Sequence, residues 1–165
     1  VKWSRWIAAA LFVTTAIGLC HSPAQSASTD AKLGAETYRR CAVCHLPDGT
    51  GVELAFPPLR ERLGAIASTP DGRRYLILTI LKGLVGAIEI DGATYRGAMP
   101  AEQLDDAQCA AALNYVVEVL NRGTRSANWQ PFVAQEIERV REEISSISQR
   151  DVLELRSTLS WGDGH

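Results

Sequence analysis

Residues 41–45 read Cys-Ala-Val-Cys-His, CAVCH, two thiols three positions apart with an imidazole directly after the second. Such a set can grip zinc, cycle as a redox dithiol or hold a haem. A structural zinc takes four ligands, usually from two such pairs, and the other histidines, His21 and His165, stand near the chain ends with no second cluster. A redox dithiol opens a helix after a strand in β-α-β surroundings, whereas here a helical pattern precedes the motif and a glycine loop, DGTG (48–51), follows it. Covalent attachment of a c-type haem is the reading that remains. Two thiols meet two vinyl groups, and the adjacent imidazole of His45 is delivered to the iron from one side.

An iron held by His45 has a sixth position to fill. The only methionine of the chain is Met99, in GAMP (97–100). Gly97 lets the backbone approach a flat ligand, Pro100 fixes the loop after the sulfur, and Tyr95 offers an aromatic wall. A neutral nitrogen opposite a soft thioether favours Fe(II), raises the potential and closes the iron to substrates. The site therefore predicts an electron carrier and no enzyme, whereas a peroxidase or small reductase needs that sixth position open.

With these residues in view the chain resembles a class I cytochrome c. The resemblance runs over residues 31–121 and rests on CAVCH, the DGTG loop, FPPL (56–59), GAMP and a late helix with Tyr115 and Val116. It implies an all-α fold wrapped on one covalent haem c, with Cys41 and Cys44 as attachment points, His45 and Met99 as axial ligands, and the carbonyl of Pro57, or else Pro58, orienting the imidazole. The implied partners are redox proteins, a periplasmic dehydrogenase or respiratory donor and an oxidase or reductase. The chain is alternatively the haem subunit of a periplasmic dehydrogenase complex. In one respect the sequence departs from the family: Gly34 stands seven residues before Cys41, where the family has eight, although Gly34 and Tyr38 keep their spacing of four.

Upstream, two cations in VKWSRW (1–6) precede an uncharged run from Ile7 to Cys20, about fourteen residues against the roughly 20 of a membrane span. Small residues follow in HSPAQSAS. This is the pattern of a signal peptide, expected over residues 1–26, and it predicts a periplasmic protein without a membrane span. A cytochrome domain over 27–122 and a linker with helical extension over 123–165 complete the organisation. In an oxidising compartment an odd cysteine needs explanation, and Cys109, within AQCAAALNYVV, reads as a small buried core residue.

Helices are expected over Ala31–Arg40, from Thr69 and Pro70 through RRYLILTILKG to the stops at Gly83 and Gly86, and over Leu104–Leu120 with an apolar stripe at Leu104, Ala107, Ala111, Tyr115 and Val119. IEIDGATY (88–95) alternates about Asp91-Gly92 and predicts a small β-hairpin before the Met99 loop. In the extension, Phe132–Ile144 is amphipathic, and Ser148 with Asp151 caps a last helix to Leu159. That extension is either a packing tail or a docking arm for a partner, and removal of a docking arm should leave the core intact.

The chain of 165 residues is 46% hydrophobic and 22% charged, with a formal net charge of -2, so nothing in it offers the basic footprint nucleic acid requires. Without Lys2 and Arg5 the balance falls to about -4. Arginines and one lysine nevertheless collect in the motif-bearing half (Arg39, Arg40, Arg60, Arg62, Arg73, Arg74, Lys82, Arg96), a set able to steer acidic partners. Arg96, beside the Met99 loop, is a candidate for contact with a haem propionate.

Overall fold

The computed structural model describes residues 23–161. Most of the expected leader, residues 1–22, lies outside that range, while Pro23 to Ser26 form the first turn of α1 (Pro23–His45). This helix is longer at both ends than the sequence predicts. It passes through CAVCH, which contains no breaker, and stops where Leu46 takes a left-handed φ of 64°. Leu46 precedes Pro47, and a residue before proline is disfavoured in the right-handed helical region. Because Cys41, Cys44 and His45 are helical, their spacing of i, i+3, i+4 puts them on one face; Val43 points away and is 80% exposed.

After the 46–62 loop comes a short α2 (Leu63–Ile66) and then α3 (Pro70–Lys82). Thr69 caps α3 by accepting from the Gly72 amide at 3.1 Å, and Pro70 occupies the first turn, as predicted. Tyr75, Ile77, Leu78 and Leu81 are its buried stripe. Gly83, with φ of 80°, ends the helix. Gly86 does not, since it already lies inside strand β1 (Leu84–Ile90), antiparallel to β2 (Ala93–Met99). The sheet is longer than the expected hairpin because Gly86 pairs with Gly97 and Leu84 with Met99, carrying the ladder to the methionine.

Helix α4 (Asp106–Tyr115) starts from a capping box between Asp105 and Gln108 and passes into one π-helical turn at Val116–Leu120. The predicted stripe is only partly correct. Ala111 is buried, but Ala107 is exposed and Val119 is 49% exposed, while Cys109, Leu113, Val116 and Val117 face inward. A π turn adds a residue to the turn and rotates everything after it. Cys109 is the buried core residue the sequence predicts, and burial pushes its thiol pKa up to about 12.

The two outer helices of the core cross at Gly34. A Cβ there would stand 2.5 Å from the Ala111 carbonyl oxygen and 3.1 Å from Cβ of Tyr115. One turn on, the rings of Tyr38 and Tyr115 lie 5.0 Å apart. The shortened Gly34–Cys41 spacing thus leaves the crossing in place, since α1 continues unbroken to the motif.

Beyond Arg122 the extension packs back on the core as α5 (Ala134–Glu142), a single 3₁₀ turn (Ile144–Ser146) and α6 (Gln149–Thr158). α5 lies on α4 and α3, and α6 lies on α3 and β1. Trp129, Phe132, Ile137, Val140 and Val152 join the same apolar cluster as Tyr38, Ile77 and Val117. That is the packing tail, with its apolar face turned to the core. No helix among the described residues is long and apolar enough to cross a membrane.

Candidate functional site

One cleft gathers the residues that the sequence singled out. Its walls carry Cys41, Cys44 and His45 from α1, Pro57 from the following loop, and Met99 from the end of β2. It encloses about 1140 Å³ between its walls, including the open mouth. Strand alternation builds one side, since Leu84, Gly86, Ile88 and Ile90 of β1 and Tyr95, Gly97 and Met99 of β2 all line it. Arg96, out of phase with that set, is exposed on the other face and does not line the cleft. The arginines that do are Arg40, Arg62 and Arg156, the last of which the sequence reading missed because it lies in the distant extension.

His45 is held in one orientation. It is 7% exposed, and its Nδ1–H donates to the Pro57 carbonyl at 2.8 Å, which selects Pro57 over Pro58. The bond leaves Nε2 with its lone pair, the form of imidazole that ligates metals. Burial lowers the imidazole pKa below its usual range, against the opposing pull of the Pro57 carbonyl. The carbonyl is positioned by close packing. Gly51, with φ of 68°, brings its backbone so near that a Cβ would meet Phe56 O at 2.3 Å and Pro57 O at 2.8 Å, and its amide donates to His45 O at 3.0 Å.

The loop beyond Pro57 hangs on a residue that no motif announced. Asn121 is 1% exposed, and its Oδ1 accepts from the amides of Arg62 and Leu63, both at 2.8 Å. Its Nδ2 donates to Leu59 O at 2.8 Å and Val116 O at 3.0 Å. An Asn just past a helix reads from sequence as a helix stop; only the fold shows it tying the cleft floor to the end of α4.

Cys41 and Cys44 are half-buried and form no disulfide. Among the described residues no group of three or more His, Cys, Asp or Glu side chains is arranged to hold a metal ion by itself. The cleft does suit a flat apolar group joined to two sulfurs. Its lining is largely hydrophobic, and nothing lies within 4 Å of a Cβ placed on Gly97.

The Cytochrome c family model matches residues 31–119. The chain belongs to the cytochrome c family. A cytochrome c-552 of Thermus thermophilus is 39% identical over 109 residues, which span 66% of this chain and 83% of the relative. A second cytochrome c-552 of Thermus thermophilus is 39% identical over the same length, covering 74% of that protein. As a class I cytochrome c the chain carries covalently bound haem c, with Cys41 and Cys44 in the attachment motif.

The expected basic ring is largely neutralised. Arg40 pairs with Glu102 at 2.8 Å, Arg60 with Glu61 at 2.8 Å, Arg73 with Glu136 at 2.5 Å, Arg74 with Glu143 at 2.7 Å, and Arg62 with Asp91.

Proposed function

We propose that this cytochrome is a periplasmic one-electron carrier whose single haem c is ligated by His45 and Met99. The observation that carries the proposal is the convergence of four residues on one cleft: Cys41, Cys44 and His45 from a single helical face, and Met99 from the end of a strand. The bound haem supplies a reversible Fe(II)/Fe(III) couple. Cys41 and Cys44 tether it through thioethers, and His45 presents Nε2 because its other nitrogen is committed to Pro57. Met99 is held by the ladder pair with Leu84, and the apolar walls keep water out, so little rearranges when charge changes. With His45 and Met99 both holding the iron, no position would be left for a substrate, and the chain would act as a carrier and not as an enzyme. Removal of a leader over 1–26 would release a helical cytochrome domain, 27–122, with its extension, 123–165. Donor and acceptor are redox proteins of the dehydrogenase and the oxidase or reductase kind. Val43 and Leu54, 80% and 60% exposed, offer apolar contact for such short-lived encounters.

Protein matured in a periplasm should show, when ferric, the weak far-red band of sulfur on haem iron. Met99→Ala should abolish that band and let the ferrous form bind carbon monoxide, to which the wild type is closed. A variant that keeps the band and its resistance to the gas removes Met99 from the ligand role.

A further inference from the structure

We propose that Arg156 receives a propionate carboxylate of the haem, so that the C-terminal extension completes the cofactor cleft. The proposal rests on the cleft being the haem site. Arg156 belongs to α6, well beyond the residues 31–119 that define the family match. It lines the cleft and is only 8% exposed.

Its charge is uncompensated by protein. Of the three arginines in the cleft wall, Arg40 has Glu102 and Arg62 has Asp91, but Arg156 has no carboxylate partner among the described residues. Its Nη2 donates to the Glu89 carbonyl at 3.1 Å, and the guanidinium lies 3.9 Å from the ring centroid of Trp161. A guanidinium has five N–H donors, so one carbonyl and one ring face leave most of them unused. An ion withdrawn from water without a counter-charge is costly, and proteins bury one where an anion completes it. A guanidinium fork set over an indole ring, with donors left unused, is suited to a carboxylate. Haem brings two.

Nothing packed on α6 competes for that role. From α3, Arg73 and Arg74 are paired with glutamates of the extension, Lys82 donates to Ile144 O, and Tyr75 meets Trp161 edge-on. From β1, the Glu89 carboxylate is exposed and accepts from the Thr94 hydroxyl, leaving only its backbone oxygen for Arg156. On α6 itself Asp151 is engaged by Ser148, and Arg150 and Glu154 are exposed. His45, Tyr95 and the Arg40–Glu102 pair are the other titratable groups of the cleft wall.

A cation facing a propionate removes negative charge from beside the iron, which disfavours Fe(III) and raises the potential. The test uses holoprotein with covalent haem, as wild type, Arg156→Gln and Arg156→Lys. Two properties are read: the titration of carbon-13-labelled propionate carboxyls by NMR, and the midpoint potential against pH. In the wild type one carboxyl should titrate well below the ordinary carboxyl range. Arg156→Gln should return it upward and lower the potential, which then falls further as pH rises through that carboxyl's titration. Arg156→Lys, a point charge without the fork, should move it part of the way. Two ordinary carboxyls in the wild type overturn the proposal whatever the variants do, as does Arg156→Gln with both properties unmoved. Should that variant fail to fold, an unchanged titration in Arg156→Lys overturns it. Failure of the haem-site reading shows separately, as a wild type lacking covalent haem or the sulfur band.

Discussion

Asn121 shows how much can depend on one side chain. It supplies the acceptor for two amides of the cleft floor and donates to two carbonyls, all within the interior. Replacing it with alanine leaves those amides without partners, and each buried unsatisfied group costs about 1–3 kcal/mol. Asn121→Ala should therefore lose about 3 kcal/mol in a denaturant titration. A loss within experimental error would mean that water replaces the side chain. His45 and Gly51 illustrate the opposite relation to sequence. The imidazole was legible from CAVCH alone, whereas the tightness of Gly51 against Pro57 could be seen only when the loop was closed.

Helix α1 and helix α4 depend on the absence of a side chain where they cross. Gly34→Val would force a branched side chain into a gap of 2.5 Å to the Ala111 carbonyl, so the helices must separate. Overpacking of this kind costs about 1–3 kcal/mol, and the thermal midpoint of the holoprotein should fall by several degrees. An unchanged midpoint would place the contact elsewhere. At the other end of the chain, α6 is held by its cap. Ser148 gives its amide and hydroxyl to Asp151 and accepts the Asp151 amide, and these bonds depress the Asp151 carboxyl below its usual range. A carboxyl lowered on folding contributes stability above its unfolded value and loses it as pH falls through the folded one. The melting gap between wild type and Asp151→Asn should thus be widest near neutral pH and close in acid. A gap independent of pH would assign the effect to shape and not charge. Ser148→Ala, losing the cap itself, should cost about 1 kcal/mol at neutral pH.

Taken together, the extension and the core share one apolar cluster. Truncation after Arg122 would remove Trp129, Phe132, Ile137, Val140 and Val152 from the shared apolar cluster. Each buried side chain of this kind contributes about 1.5–3 kcal/mol, so the sum is comparable with the roughly 5–15 kcal/mol that holds a whole domain. The truncated chain should lose cooperative unfolding by circular dichroism, and its haem spectrum after export should show a disordered axial environment. If the spectrum and the unfolding transition survive, the extension is an appendage, as a docking arm would be.

CAVCH, GAMP and the Asp91-Gly92 turn could be read from the chain because each is local: covalent spacing, one methionine and one turn type carry the information within a few residues. Helix caps at Thr69 and Ser148 are local in the same sense, depending on backbone amides three positions away. The π turn that rotates Val116 inward, the bonds of Asn121 to a loop some sixty residues distant, and the entry of Arg156 and Trp161 into the cofactor cleft needed the assembled molecule. These features arise from burial and long-range contact, and periodicity along a chain does not say which buried faces will meet.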